Sequence, residues 1–487
     1  MYFFECILLV IIIYLTGIQS VAYLVSFIIT LDVYSNFKMC YFLMKFICTF
    51  ALMLLIYTSK ISPRLTYTFR QFFKRILLID VSFTTEINVF VAHNGPKITY
   101  AKQPLSTEFF VQSHSLLFEQ GVNDIDVHVS DWDGVKCFFK QSGKSSIPFD
   151  VFAATFYLLS RYEEYLPHVK DEYERFSAKE SIAYKHNFLD KPIIDIWAHK
   201  VKNLLIERFP DFVFKNKKFA YISTIDIDAA YAYKHKGIMR IIGGFVKDLA
   251  TLHLRQFWFR FLVMTGFRPD PFDSFDWLLS MQKKYKLKTI FFFLVSEYTT
   301  FDKNISVRNT KFQSLIKHVA DYSVVGLHPS YFTLRNSKKL KKEKQRLEAI
   351  INTSITKSRQ HYLRLTFPET FQNLVELDIL EDYSMGYASH YGFRAGTCTP
   401  FYFYDMEHEI QTPLKLFPFA VMDVTLKDYL QFSNKKSFAT IMQLAEEVKK
   451  VNGTFITLNH NETFNKFGRF RGWKAMYEKT IKALKTE

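Results

Sequence analysis

From residue 219 to residue 458 the chain alternates short apolar runs with stretches of helical periodicity, and nothing else in it restricts the possible folds so strongly. Strands are expected at 219–227, 289–295, 324–327, 362–365, 385–388, 419–422 and 454–458, and helices at 275–285, 312–322, 337–351 and 436–451. Strand–helix alternation lays successive strands parallel. Over about 270 residues it implies a (β/α) barrel, in which chemistry sits at the C-terminal ends of the strands.

At 487 residues the chain has room for two or three domains. The composition changes divide it into 1–52, 53–217 and 218–487. Residues 3–30 carry one charge, Glu5, and are long enough to cross a bilayer, for which about 20 apolar residues suffice. A second run, 39–58, is interrupted by Lys45. The basic residues Lys60, Arg64, Arg70, Lys74 and Arg75 follow, which would leave everything downstream in the cytoplasm, attached to the inner membrane. In the alternative reading residues 1–52 are a spurious extension, because Met53 opens a strand, a polar turn at Pro63 and a helix, as a globular domain does. Both readings imply a cytoplasmic catalytic region.

The middle segment is expected to be a smaller α+β domain, with short strands at 87–91 and 109–111 and a helix at 148–165 that ends before Pro167. Arg161, Glu163 and Glu164 on that helix read as a solvated or interdomain face. Residues 237–265 interrupt the alternation with a basic, aromatic-rich stretch. Packing against the other domain is its expected use, with a lid or a membrane-touching helix pair as alternatives.

A hydrophobic content of 49% and an aromatic content of 17% belong to a folded chain and exclude a disordered one. Lys plus Arg number 63 against 47 Asp plus Glu, a net charge of +16, which favours anionic partners such as a membrane surface, a nucleotide sugar or an acidic polysaccharide. No C2H2 spacing or RNP motif accompanies that charge, so no nucleic-acid partner is expected. Of five cysteines, Cys6, Cys40 and Cys48 lie in the apolar N-terminal stretch, leaving Cys137 and Cys398; no disulfide framework or CxxC zinc pattern exists, and a reducing compartment suits this usage.

The candidate chemistry lies at the predicted strand ends. In STIDID, Asp226 and Asp228 stand at i and i+2, so their side chains share a face, where two carboxylates repel each other unless a divalent metal or a shared proton intervenes. His328 follows another buried-looking strand in VVGLHPSYF, and SRQHYLRL offers Arg359 and His361 at the start of a strand. GFRAGTCTPFY sets Arg394 in a Gly-rich turn, from which a guanidinium can reach a carboxylate. FITLNHNET delivers His460, with Asn461 and Glu462 after it. Each residue read alone has a structural explanation; their order is more informative.

That order resembles the NodB-type polysaccharide deacetylases, carbohydrate esterase family four. The stretch from Leu54 onward is similar to a Bacteroidota-type subgroup that joins an N-terminal domain of unknown function to a deacetylase-like domain. The resemblance implies a distorted, incomplete (β/α) barrel and a metal-dependent hydrolase that removes acetyl groups from an N- or O-acetylated sugar. It implies Asp226 as general base, Asp228 and His328 as metal ligands, Arg394 as the arginine that orients the base and His460 as general acid. Two departures stand out. Ile227 separates aspartates that are adjacent in the family, and the second histidine of the family's metal motif falls on Phe332. His361 is the substitute ligand on chemical grounds, and zinc is the first expectation for such mixed N/O ligands. Two other classes remain open. One is a glycosyltransferase, since Asp226-Ile227-Asp228 also matches an Asp-x-Asp signature; the other is a carbohydrate-binding protein without catalysis, on account of Phe332.

Overall fold

The computed structural model describes residues 53–485 apart from 142 and 213, so the expected membrane span and Cys6, Cys40 and Cys48 lie outside the described residues. The chain enters through β1 (Leu54–Thr58) and helix α1 (Pro63–Phe69). Ser62 caps the helix by accepting the Leu65 N–H, and Pro63 takes the first turn, where a missing N–H costs nothing. Strands β2 (Val81–Thr84), β3 (Lys97–Ala101) and β4 (Phe109–Gln112) join β1 in the order β2-β1-β3-β4, with every pair parallel.

The N-terminal region is therefore an α/β layer and not the expected α+β domain, because its connections are crossovers and not hairpins. One antiparallel hairpin, β5 (Val129–Trp132) with β6 (Val135–Phe138), lies outside that sheet. The expected strand at 87–91 is helix α2 (Ile87–Ala92), an instance of a short apolar run whose periodicity cannot separate the two states. The expected helix at 148–165 is α3 (Val151–Leu159), which Arg161 ends by adopting φ 55° before a 3-10 turn at Tyr162–Glu164. Helix α4 (Ile193–Arg208) completes this region.

Strands β7 (Ala220–Ile227), β8 (Lys288–Phe293), β9 (Val324–Leu327), β10 (Lys357–Ser358) and β11 (Glu381–Asp382) then lie side by side in chain order, all parallel. After a hairpin of β12 (Phe401–Asp405) with β13 (Ile410–Leu416), residues 410–422 run as one bent segment whose far end is β14 (Val421–Met422). Its first part pairs with β11 and its last with β15 (Thr454–His460), which returns to lie beside β7. The Phe417, Phe419 and Ala420 N–H groups donate to Asp382, Met385 and Ile456 across the bend, which joins the two sides of the sheet into an incomplete barrel.

Helices α5 (Ile238–Ala250) and α6 (Leu254–Met264) form a pair after β7. Around the strands follow α7 (Phe275–Tyr285), α8 (Thr310–Tyr322), α9 (Ser337–Ile351), α10 (Glu369–Glu376), α11 (Asn434–Lys450) and α12 (Trp473–Leu484). The strands expected at 362–365 and 385–388 fall several residues past β10 and β11. Tyr362 and Leu363 take φ 60° and 56°, values no strand tolerates, and they line the cavity at the barrel mouth.

A small apolar core, including Ile222, Ile290, Phe292, Phe419, Ile456 and Leu458, fills the barrel interior, while the larger core packs the opposite strand faces against the helices.

Candidate metal centre

Side chains of β7 alternate between these two cores, so Ile222, Thr224 and Asp226 climb one inner face, with Asp228 continuing it just past the strand. The interior changes along that climb from hydrocarbon to hydroxyl to carboxylate. His328 directly follows β9, His361 opens the turn after β10, and His460 is the last residue of β15. All three converge on Asp228: His328 Nε2 is 3.2 Å from its Oδ1, and His361 Nε2 and His460 Nε2 are 3.4 and 3.9 Å from its Oδ2. Asp226 Oδ2 is 3.9 Å from His328 Nε2. The structure thus brings together Asp226, Asp228, His328, His361 and His460.

The outer nitrogens of the imidazoles decide what the inner ones can do. His328 Nδ1 lies 2.5 Å from the Arg359 carbonyl, which can only accept, so this nitrogen carries the proton. His361 Nδ1–H likewise donates to Asp302 at 2.8 Å. Asp302 is itself held by the Tyr331 N–H and the Thr299 hydroxyl. In their neutral form both rings therefore turn a bare Nε2 toward a carboxylate, and Asp228 Oδ1 has no hydrogen-bond partner. Facing lone pairs at such distances repel unless a positive charge lies between them, a cation or a proton on one ring. Burial alone would lower the basicity of His361, but Asp228 and Asp302 outweigh it and raise it to about 9. Burial would likewise raise Asp228, yet His361 and His328 hold it well below the usual carboxylate range.

Asp228, His328 and His361 offer ligand atoms within 4.8 Å of one another and can hold a metal ion. Both histidines have their outer nitrogens fixed by an oxygen, the arrangement that orients imidazole ligands at metal sites. The residues fit a divalent cation. Phe332, in the place the resemblance gives a second histidine, is 45% exposed and touches Phe301 and Tyr331 instead; His361 supplies the second imidazole.

Arg394 is not at this centre. Its guanidinium makes two bonds to Glu164, at 2.9 and 2.6 Å, and one to the Gly386 carbonyl, and Arg161 also pairs with Glu163 and Glu164. These charges are buried between the two regions, so the helix face read as solvated or interdomain is the latter. The guanidinium near Asp226 belongs to Arg359, fully buried between the rings of Phe292 and Phe419. It donates to Thr224 Oγ1 at 2.8 Å and stands 3.7 Å from Asp226 Oδ1. Asp226 Oδ1 has no hydrogen-bond partner.

Opposite, His460 is fixed by Asp423, which accepts both its Nδ1–H at 2.8 Å and its backbone N–H at 2.7 Å. Burial would lower its basicity; Asp423 first, then Asp228 and Asp226, raise it well above the ordinary value. Asp302 and Asp423 were not legible as site residues. Asp423 had a signal, since it directly follows the strand expected at 419–422 just as His328 follows its own strand; Asp302 sits in an irregular loop and had none.

A cavity of about 420 Å³ opens over these groups. Glu172, Tyr173 and Arg175 of the N-terminal region form part of its wall, and Arg175 is tied there by bonds to the Tyr362 carbonyl and the Tyr429 hydroxyl. The N-terminal region thus helps to shape the mouth of the barrel.

Residues 54–210 match the model of a family of unknown function, DUF7033. No curated protein matches the chain. Among solved structures it is distantly similar to a putative polysaccharide deacetylase from Mycobacterium smegmatis, at 14% identity and TM-score 0.38 over 55% of this chain and 85% of that one. A polysaccharide deacetylase from Bacillus cereus has 13% identity and TM-score 0.26 over 55% of this chain and 88% of that one. A CE4 family pseudoenzyme from Bacillus anthracis has 12% identity and TM-score 0.27 over 55% and 62%.

Proposed function

We propose that the barrel is a metal-dependent deacetylase that hydrolyses the acetyl group of an N- or O-acetylated sugar, with zinc as its metal. The observation that carries this reading is the convergence of Asp228, His328 and His361 at one point, with a carboxylate on one side and a carboxylate-backed imidazole on the other. Asp228, His328 and His361 would hold a divalent ion, which would supply Lewis-acid chemistry, polarising a carbonyl and making a water more acidic.

The other groups move the protons. Asp226 accepts the proton of the attacking water, and the Arg359 guanidinium stands 3.7 Å from its Oδ1. A C–O bond forms at the acetyl carbon, and the bond to the sugar nitrogen or oxygen breaks. His460 gives its Nε2 proton to that leaving atom; Asp423 holds the opposite nitrogen, so the acidic proton faces the cavity. Each positioned acid or base contributes about 100 to 10,000-fold.

Acetate release from N-acetylated sugar oligomers by zinc-loaded wild type and Asp226→Asn tests the reading. A loss of about 100 to 10,000-fold is expected in the variant. Equal rates would remove Asp226 from the mechanism, and sugar binding without any release by wild type would make the barrel a carbohydrate-binding module.

A further inference from the structure

Helices α5 and α6 pack on each other, and Arg240 and Phe259 join them to the barrel loops through the Lys303 and Asn304 carbonyls and the rings of Tyr233 and Phe467. Phe245 packs on Phe257 at 5.1 Å, and Arg260 pairs with Asp248 at 2.8 Å, passing over Gly244, where its guanidinium leaves no room for a Cβ. Of the apolar residues in the pair only Val263 is buried. Met239 and Leu252 are 80% exposed, Phe267 78%, Ile238 73%, and Val246 and Trp258 60%. The pair does not bury these side chains against the N-terminal region, the use its sequence favoured. So many large apolar side chains exposed on one helix pair are unusual for a surface left bare in water.

Trp258 of this face also lines a second cavity, of about 1420 Å³, whose wall carries lysines and arginines and no carboxylate, although Arg260 and Arg469 pair with Asp248 and Asp428 beyond it. Lys236, Lys247, Arg255, Arg268 and Lys303 on its wall make no ion pair among the described residues. Burial, and then Arg240 and Arg260 beside it, pulls Lys236 down to about 8 against the opposing pull of Asp270 and Glu462. Aromatic Trp258, Phe259 and Tyr298 line the same cavity. Arg469 belongs to its wall and to that of the catalytic cavity, so the two meet there.

We propose that the α5–α6 pair seats on the surface of an anionic bilayer, and that the basic cavity takes the phosphate of a lipid-linked sugar whose acetylated unit reaches the metal centre. The second half rests on the deacetylase reading above. A soluble nucleotide sugar would satisfy the cations but leave Met239 and Leu252 uncovered; a lipid phosphate in a bilayer satisfies both. Among the described residues no helix is long and apolar enough to cross a membrane, so contact through this face lies along the surface.

The test is amide hydrogen exchange of the full chain, read at residues 238–264, with three vesicle types. These are phosphatidylcholine alone, phosphatidylcholine with phosphatidylglycerol, and phosphatidylcholine with a polyprenyl phosphate. Protection is expected with both anionic types, greatest with polyprenyl phosphate and weakened by salt. The double variant Met239→Glu, Leu252→Glu should bind vesicles about tenfold or more weakly while deacetylating short soluble sugars as wild type does. Lys236→Gln with Arg268→Gln should lose only the preference for polyprenyl phosphate. No protection by any vesicle, or full protection without lipid, would overturn the inference, the latter giving the face to another part of the chain or to a second copy. Equal protection by a UDP-sugar would give the cavity to a nucleotide. Acetate release from soluble sugars without vesicle protection leaves the deacetylase standing and this inference fallen. Protection without acetate release from any substrate overturns the catalytic reading and the substrate half, and leaves the surface contact.

Discussion

Among the described residues, two places gather carboxylates and imidazole closely enough to hold a metal: Asp228 with His328 and His361, and Asp405 with Glu407 and His408. Their donor types are alike and their surroundings are opposite. In the second group Asp405 Oδ1 already accepts the backbone N–H groups of Glu407 and His408, and its Oδ2 is bonded to Gln372 and to His408. The carboxylate is spent on closing the turn between β12 and β13, and His408 stands in solvent with its side chain 62% exposed. In the first group Asp228 Oδ1 is unsatisfied, and both imidazoles have their outer N–H groups committed elsewhere. Residue type does not separate the two. What separates them is whether the ligand atoms are free and whether surrounding groups have fixed them in advance.

The sharpest way to break the comparison is to remove one imidazole from each group. His361→Ala should abolish stoichiometric zinc binding and acetate release together, whereas His408→Ala should alter neither, as metal analysis and the acetate assay will show. A smaller effect is expected one layer out. Asp302→Asn should weaken zinc affinity about 10 to 100-fold, because the His361 ring loses the carboxylate that orients it, while Gln372→Ala leaves affinity unchanged. Competition with a chelator measures both.

The pH profile should respond to Asp423, with the sign set by what that carboxylate does. It raises His460 against the lowering effect of burial, so Asp423→Asn lowers the pKa of the acid. His460 acts in its protonated form; the alkaline limb of the rate–pH profile therefore moves to lower pH in the variant. An unmoved limb would assign the limb to another group. Arg394→Met gives a contrast of another kind. It strips Glu164 of one buried partner, and stability should fall by up to about 3–5 kcal/mol in a denaturant titration, with kcat of the folded fraction retained.

The parts of this architecture that were legible in the sequence are those with a periodic or terminal signature. β7, β8, β9 and β15 are long enough for an apolar run to show them, and each candidate that directly follows or ends such a strand, Asp228, His328 and His460, lies at the centre. His361 was reached by chemistry, as the imidazole free to replace Phe332. Arg394 was misplaced because motif order cannot tell which of two arginines points inward. Arg359 faces the barrel interior because it continues the β10 pleat, its N–H donating to the Leu327 carbonyl and its guanidinium to Thr224, but a two-residue strand carries no periodic signal. The bend that closes the barrel was equally silent, since residues 410–422 serve two neighbours and match no single strand.

The central claim is that a cation belongs where the lone pairs of His328, His361 and Asp228 meet. Calorimetric titration of zinc into metal-free full-length protein at neutral pH, repeated in buffers of different ionisation enthalpy, tests it most directly. Stoichiometric binding that releases a proton, because zinc displaces the one His361 carries in its absence, is the predicted result, and Asp228→Ala should lose it. Zinc that fails to bind wild type, or that binds Asp228→Ala equally well, would contradict the account.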